Sequence, residues 1–251
     1  MDDKVRSITA QRAIRLSDTV GYDIKVHELD DARRERERIL APDACGGPGT
    51  PYKMLRTQVF RRLQDLGANT LAVLSAVKGD GKTLTAINLA IAIAADYGHT
   101  AILVDLDMRN PSVHRRLGIE PEIGIEDCLQ DGRPVYEAMI KLHGFERLMV
   151  LPARAPIDHS SELIATARMG ELIDELRSLY LNRILVFDLP PVLVSDDALA
   201  FLRHVQAGLF VVAEGKTERD DVTRSLSLLH NLPIVGTVLN RSRSSDSSYY
   251  V

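Results

Sequence analysis

The sequence contains no tryptophan, and aromatic residues make up only 5% of its 251 residues. Aromatic side chains provide the surfaces on which the bases of single-stranded nucleic acid stack. The formal net charge of −4 also gives no excess of basic residues to contact a phosphate backbone. We therefore expect no nucleic-acid partner.

Cysteine is also scarce, with only Cys45 and Cys128. Two separated cysteines cannot build a disulfide framework, and the seven histidines lack the paired spacing of a zinc site. No run approaches the roughly 18 consecutive apolar residues of a membrane span, and the first ten residues lack the apolar core of a signal peptide. These absences predict a cytoplasmic protein that reaches a membrane only through a partner.

Composition divides the chain into three parts. Residues 1–51 form a polar N-terminal extension that ends in a linker rich in Gly and Pro. Its mixed-charge run at residues 30–38 indicates either a solvated helix face or a docking segment for a partner. Residues 52–241 are expected to form one globular domain, and residues 242–251 a flexible tail rich in Ser and Tyr.

Within the domain, short apolar segments alternate with longer segments of helical periodicity. The apolar segments predict strands at residues 70–76, 100–106, 147–151, 183–189, 207–213 and 234–239. The periodic segments predict helices at residues 52–66, 83–97, 160–180 and 218–231, the third with Ser160 or Ser161 as its N-cap. Strands that are apolar throughout are typical of a parallel sheet covered on both faces. The fold class is therefore α/β, with a doubly wound, mostly parallel sheet.

A glycine-rich segment, residues 76–83, lies between the first predicted strand and the helix that follows it. A phosphate-binding loop needs this context, because its glycines let backbone N–H groups converge on an anion at a helix N-terminus. Lys82 is expected to reach the outer phosphates and the Thr83 hydroxyl to hold Mg²⁺. The strict motif has Gly where this chain has Ala76, which leaves an ordinary glycine-rich turn as the alternative. The predicted nucleotide contacts of the loop are Lys78, Gly79, Asp80, Gly81, Lys82, Thr83 and Leu84.

Carboxylates follow two of the predicted strands. Asp105 and Asp107 are two residues apart, so their side chains point to the same side of an extended chain. Asp188 ends the strand at residues 183–189. Open α/β sheets bind ligands at the carboxyl ends of their strands, and phosphoryl transfer needs one carboxylate near Mg²⁺ and another to orient or deprotonate the nucleophile. We therefore expect a nucleotide site here, with solvated strand-end carboxylates as the alternative.

With these motifs the chain resembles the bacterial tyrosine kinases of capsule and exopolysaccharide synthesis, which are P-loop proteins related to the partition and division-site ATPases. Residues 105–109 (DLDMR) are similar to that family's Walker A′ box, and Asp188 with Pro190 is similar to its Walker B motif. The resemblance covers residues 52–251 and implies ATP and Mg²⁺ as cofactors. It assigns catalysis to Lys82, Asp105 and Asp107, Mg²⁺ to Thr83, Asp105 and Asp188, and further nucleotide contacts to Arg109, Asn240 and Arg241.

The resemblance also implies partners. Tyr249 or Tyr250 of a neighbouring copy would accept the phosphate, so self-association and trans-autophosphorylation are expected. The cytoplasmic tail of a membrane polysaccharide co-polymerase would act as activator and recruit the chain to the inner face of the plasma membrane. The ring-forming motif of the family is matched outright only by Arg56, which leaves the number of subunits open.

Two alternatives to a kinase remain open at the level of sequence. A partition-type ATPase would use ATP to drive dimerisation and partner binding, with water as the only phosphate acceptor. A scaffold would bind nucleotide without turnover. Asp107 and the tail tyrosines favour the kinase over the switch, because a pure switch needs neither.

Overall fold

The computed structural model describes residues 24–42, 49–179 and 182–242. Cys45, Tyr249 and Tyr250 lie outside these ranges, so the predicted role of the two tyrosines as phosphate acceptors stays a prediction. None of the helices in the described ranges is long and apolar enough to cross a membrane.

The described strands form one sheet of eight. Their bounds are β1 Lys25–His27, β2 Thr70–Ser75, β3 Thr100–Asp105, β4 Ile140–Leu142, β5 Leu148–Leu151, β6 Arg183–Asp188, β7 Ala207–Ala213 and β8 Ile234–Asn240. Their order across the sheet is β1-β4-β5-β3-β6-β2-β7-β8. Six adjacent strands of the sheet, β5, β3, β6, β2, β7 and β8, are parallel to one another. β4 is antiparallel to β5, and β1 pairs with β4 in the parallel direction. The prediction of a mostly parallel sheet is confirmed.

Helices cover both faces of this sheet. Their bounds are α1 Asp31–Arg36, α2 Gly49–Leu66, α3 Lys82–Ala94, α4 Val113–Leu117, α5 Ile125–Gln130, α6 Val135–Ala138, α7 Ser160–Ile164, α8 Ala167–Leu179, α9 Asp197–Phe201 and α10 Arg219–Leu228. Alternate residues of β2 enter different cores, with Leu71 and Val73 packed on one side and Ala72 and Leu74 on the other. Both faces of the central strands are therefore buried, which explains why their sequences are apolar throughout.

The prediction of a single helix at residues 160–180 is wrong, because the chain forms two helices, α7 and α8, with a break at Ala165 and Thr166. The Thr166 hydroxyl donates to the Leu163 carbonyl at 2.7 Å, a local bond that competes with the helical ladder. His159 occupies the N-cap position instead of a serine. The buried Ser160 hydroxyl instead donates to Asp197 at 2.5 Å, since a buried hydroxyl needs a partner.

Part of the predicted N-terminal extension is built into the fold. β1 lies at the edge of the sheet, and α1 is a short polar helix whose N-cap Asp30 accepts from the backbone N–H of Arg33. Ile39 and Leu40 are buried in the core on the α3 side of the sheet. The helix predicted from residue 52 begins at Gly49, inside the predicted linker.

Candidate functional site

The glycine-rich loop curls between the end of β2 and the start of α3. Gly79 and Gly81 have φ angles of 86° and 92°, in the left-handed region that favours glycine. A Cβ atom at Gly81 would also overlap the side-chain amide of Asn240. Both glycines are therefore needed for the loop to keep its shape and its close contact with the end of β8.

Lys82 lies at the centre of the site, with its side chain only 6% exposed. Its Nζ atom is 2.9 Å from Asp188 Oδ1 and 3.3 Å from Asp107 Oδ2. Burial lowers the pKa of Lys82, but the negative charges of Asp188 and Asp107 outweigh it and hold the pKa above its usual value. Lys82 is therefore a permanent positive charge shared by two carboxylates.

Asp105 is held from three directions. Its Oδ2 accepts from the backbone N–H groups of Ser112 and Val113, both at 3.0 Å, and its Oδ1 accepts from that of Asp107 at 3.2 Å. Asp105 also stands directly opposite Asp188 in the register of β3 and β6. Burial and the charge of Asp188 raise the pKa of Asp105 to about 8, although the two N–H donors at the start of α4 oppose this shift.

The donor set around Asp188 fits a magnesium–phosphate site. Asp188 Oδ2 is buried and has no hydrogen-bond partner among the described residues. The Thr83 hydroxyl lies nearby, 3.5 Å from Lys82 Nζ and 3.4 Å from Ser112 Oγ. No group of three or more His, Cys, Asp or Glu side chains in the described ranges could hold a metal alone. Mg²⁺ usually binds one or two carboxylates together with waters and substrate phosphates, so the oxygens present suit it.

Asp107 is 7% exposed and lies beside Lys82. Burial raises its pKa, the charge of Lys82 lowers it, and the charge of Asp188 raises it, with a net upward shift. A carboxylate whose pKa is moved toward neutrality, close to a nucleotide loop, suits the role of general base.

The remaining predicted nucleotide contacts lie around the loop. Asn240 donates from Nδ2 to the Asp80 carbonyl at 2.8 Å, which places the end of β8 against the loop. Arg241 is exposed and has a φ angle of 58°. Lys78 is exposed at the tip of the loop, and Leu84 is half-buried in the first turn of α3.

The Arg109 side chain pairs with two aspartates, Asp196 and Asp197. Its Nε and Nη2 atoms donate to Asp197 Oδ1 and Asp196 Oδ1, each at 3.2 Å. The fully buried Asp197 also accepts from the hydroxyls of Ser160 and Ser195. This network ties the Asp107 loop to α7 and α9, and the predicted contact of Arg109 with phosphate stays a prediction.

Sequence reasoning missed two contributors to the site. Ser112 supplies a backbone N–H to Asp105, and Lys216 donates from Nζ to the carbonyl of Lys78 in the loop. Lys216 follows the carboxyl end of β7, at the same edge of the sheet as the carboxylates. The rule that ligands bind at this edge was the signal that could have identified it.

Similarities to a protein family, to known sequences and to a solved structure bear on this site. The ParA family model, described as NUBPL iron-transfer P-loop NTPase, matches residues 67–248. Tyrosine-protein kinase YwqD of Bacillus subtilis is 27% identical over 221 residues, which cover 87% of this chain and 92% of that protein. The crystal structure of the chimerical protein CapA2B2 is 25% identical, with a TM-score of 0.75 over 89% of this chain and 96% of that one. Succinoglycan biosynthesis transport protein ExoP of Rhizobium meliloti is 30% identical over 191 residues, but the match covers only 23% of its length.

Cys128 gives no support to iron transfer. Cys128 is the one cysteine in the described ranges, and it is fully buried. Burial raises the pKa of its thiol to about 12, so the thiolate that binds metals is strongly disfavoured. The chain shares the P-loop NTPase fold of the family model.

Proposed function

Since this chain belongs to the ParA family of P-loop NTPases, and within it to the bacterial tyrosine kinases, we propose that it transfers the γ-phosphate of ATP to tyrosine. The observation that carries the proposal is the position of Asp107. It is a third buried carboxylate, beside the Asp105–Asp188 pair, bound to Lys82 and with a raised pKa. Nucleotide binding alone does not need such a base.

In the proposed reaction, Asp107 accepts the proton of a tyrosine hydroxyl while the phenolic oxygen attacks the γ-phosphorus and ADP leaves. Tyrosine has a reference pKa of about 10, so a nearby base matters at neutral pH. Lys82 stabilises the charge that develops on the transferred phosphoryl group. When bound by Thr83, Asp105 and Asp188, Mg²⁺ supplies further charge neutralisation.

The proposal extends to acceptors and partners. Tyr249 and Tyr250 of a neighbouring copy are the proposed phosphate acceptors, so the reaction requires self-association. We further propose that the cytoplasmic tail of a membrane polysaccharide co-polymerase activates the chain at the inner face of the plasma membrane. This part rests on the likeness to YwqD and ExoP and on the resemblance of residues 105–109 to the Walker A′ box of the family.

A second candidate function is an ATPase switch that drives dimerisation and partner binding. The match of the ParA family model over residues 67–248 favours it. In this function water replaces tyrosine as the acceptor, and no phosphoprotein forms.

The experiment that separates the two functions uses ATP labelled on the γ-phosphate, with Mg²⁺ and purified full-length chain. We compare the wild type with Lys82→Met and with the double variant Tyr249→Phe, Tyr250→Phe. Lys141→Met, on strand β4 between β1 and β5, serves as the control for loss of a lysine elsewhere. Each protein is assayed with and without the candidate activator tail.

A kinase incorporates label on tyrosine in the wild type and the Lys141→Met control, and both other variants lose it. Release of phosphate that requires Lys82, with no labelled protein even when the activator is present, would instead establish the ATPase switch.

A further inference from the structure

A hydrogen-bonded turn after β7 places Lys216 beside the phosphate loop. The turn follows β7, and its Gly215 has a φ angle of 68°. The backbone N–H groups of Lys216 and Thr217 both donate to the Ala213 carbonyl, at 3.2 and 3.0 Å. The Thr217 hydroxyl in turn accepts from the Ala213 N–H at 2.8 Å. The backbone of this turn is therefore fixed, and the Lys216 side chain extends from a defined point.

The ammonium group of Lys216 meets two negative features of the loop. It donates to the carbonyl of Lys78 and lies 3.9 Å from Asp80 Oδ1. A Cβ atom at Gly79 would overlap it, so the lysine also depends on the loop glycine. The Lys216 side chain is 38% exposed, whereas that of Asp80 is fully buried.

Asp80 places a buried carboxylate inside the loop that is expected to bind phosphate. Its Oδ2 accepts from the backbone N–H of Val77 at 3.3 Å, but its Oδ1 is buried without a hydrogen-bond partner in the described ranges. A buried carboxylate repels phosphate oxygens unless a positive charge balances it. Lys216 is the cation that reaches Asp80, at 3.9 Å.

We propose that Lys216 is a positioning residue of the nucleotide site, which neutralises Asp80 and holds the Lys78 carbonyl. A carbonyl that is bonded to Lys216 does not turn toward the phosphates, so the loop presents its N–H groups to them. Balancing Asp80 removes the repulsion between its carboxylate and the nucleotide. This inference rests on the proposed binding of ATP, and it names the residue that makes an acidic loop compatible with an anionic ligand.

A double-mutant cycle with Mg²⁺-ADP tests the coupling. Dissociation constants are measured by titration calorimetry on the full-length wild type, Lys216→Met, Asp80→Asn and the double variant. We expect Lys216→Met to weaken binding about tenfold, which corresponds to loss of one charge-assisted contact. In the Asp80→Asn background the same change should weaken binding by no more than about threefold, because the carboxylate is no longer there to be balanced.

Two further variants serve as controls for the double-mutant cycle. Lys216→Arg keeps the positive charge beside Asp80 and should bind ADP more tightly than Lys216→Met. Arg219→Met removes an exposed positive charge three residues further along the chain and should leave binding unchanged, which controls for net charge. Circular dichroism of each variant verifies the fold.

The inference is overturned if Lys216→Met binds ADP like the wild type, or weakens binding equally in both backgrounds. If the wild type itself binds no nucleotide, the proposed function fails and this inference fails with it. The two failures are therefore distinguished by the wild-type titration.

Discussion

Three carboxylates, Asp105, Asp107 and Asp188, surround one buried lysine, Lys82. Burial raises the pKa of Asp105 to about 8 and raises that of Asp107 as well. Between the ordinary aspartate pKa and this raised value, the folded chain holds a proton that the unfolded chain has released. The folded state is therefore favoured at lower pH, and its stability falls as the pH rises through this window.

We predict that the titration of Asp105 lowers the free energy of unfolding of the nucleotide-free chain by about 3 kcal/mol between pH 5.5 and pH 8, at about 1.4 kcal/mol per pH unit. Asp105→Asn removes the titrating group, so it should flatten this dependence. The measurement is urea unfolding at each pH in the presence of EDTA. Asp65→Asn, at an exposed position in α2, is the control and should keep the wild-type slope. Equal slopes for wild type and Asp105→Asn would contradict the prediction.

At the scale of elements, the short helix α4 connects the N-terminal region to the site. Its first residues supply the N–H groups that hold Asp105. Its last turn is held by the N-terminal region, where Arg33 donates to the Arg115 carbonyl at 2.9 Å and Glu37 pairs with Arg116 at 3.0 Å. A five-residue helix is not stable alone. The segment with β1 and α1 therefore supports the position of Asp105.

The double variant Arg33→Met, Glu37→Gln should loosen the end of α4 and lower kcat by about three- to tenfold, because small misplacements of catalytic groups slow turnover. The KM for ATP should stay near the wild-type value, because the phosphate loop is untouched. Steady-state turnover of ATP measures both constants.

Arg34→Met is the matched control for this variant. Arg34 pairs with Asp31 inside α1, at 3.0 Å, so its loss leaves the contacts to α4 intact. An equal fall in kcat for the control, or no fall in the double variant, would show that α1 does not act through α4.

At the scale of the whole molecule, the parallel sheet brings distant parts of the chain to one edge. β2, β6 and β3 are neighbours, so the loop after β2 meets Asp188 at the end of β6 and Asp105 at the end of β3. β8 ends at Asn240 beside the same loop. The chain therefore leaves β8 beside its own phosphate loop.

We predict that transfer occurs between chains. A Lys82→Met chain keeps its tail tyrosines, and a Tyr249→Phe, Tyr250→Phe chain keeps its catalytic site. When the two are mixed with labelled ATP and Mg²⁺, label should appear on the Lys82→Met chain. The initial rate per wild-type chain should also rise with protein concentration. Absence of label on the Lys82→Met chain in the mixture, together with a wild-type rate that does not depend on protein concentration, would indicate transfer within one chain.

The amino-acid sequence by itself determined the parts of this protein that depend on neighbouring residues. The glycines at 79 and 81 indicated a loop that only glycine can form, and the apolar runs of β2 and β3 predicted a parallel sheet buried on both faces. Asp105 and Asp188 ended such runs, so the topology rule for parallel sheets brought them to the loop. These inferences needed only local conformation and strand direction.

Tertiary structure alone decided the features that depend on contacts between distant residues. The bond from Ser160 to Asp197 and the pairing of Arg109 with Asp196 each join segments that the sequence keeps apart. The contact between Lys216 and the phosphate loop also depends on tertiary structure, since Lys216 lies 138 positions after Lys78 in the sequence. A buried polar group takes whichever partner the packed chain brings within reach, and spacing along the sequence does not specify that partner.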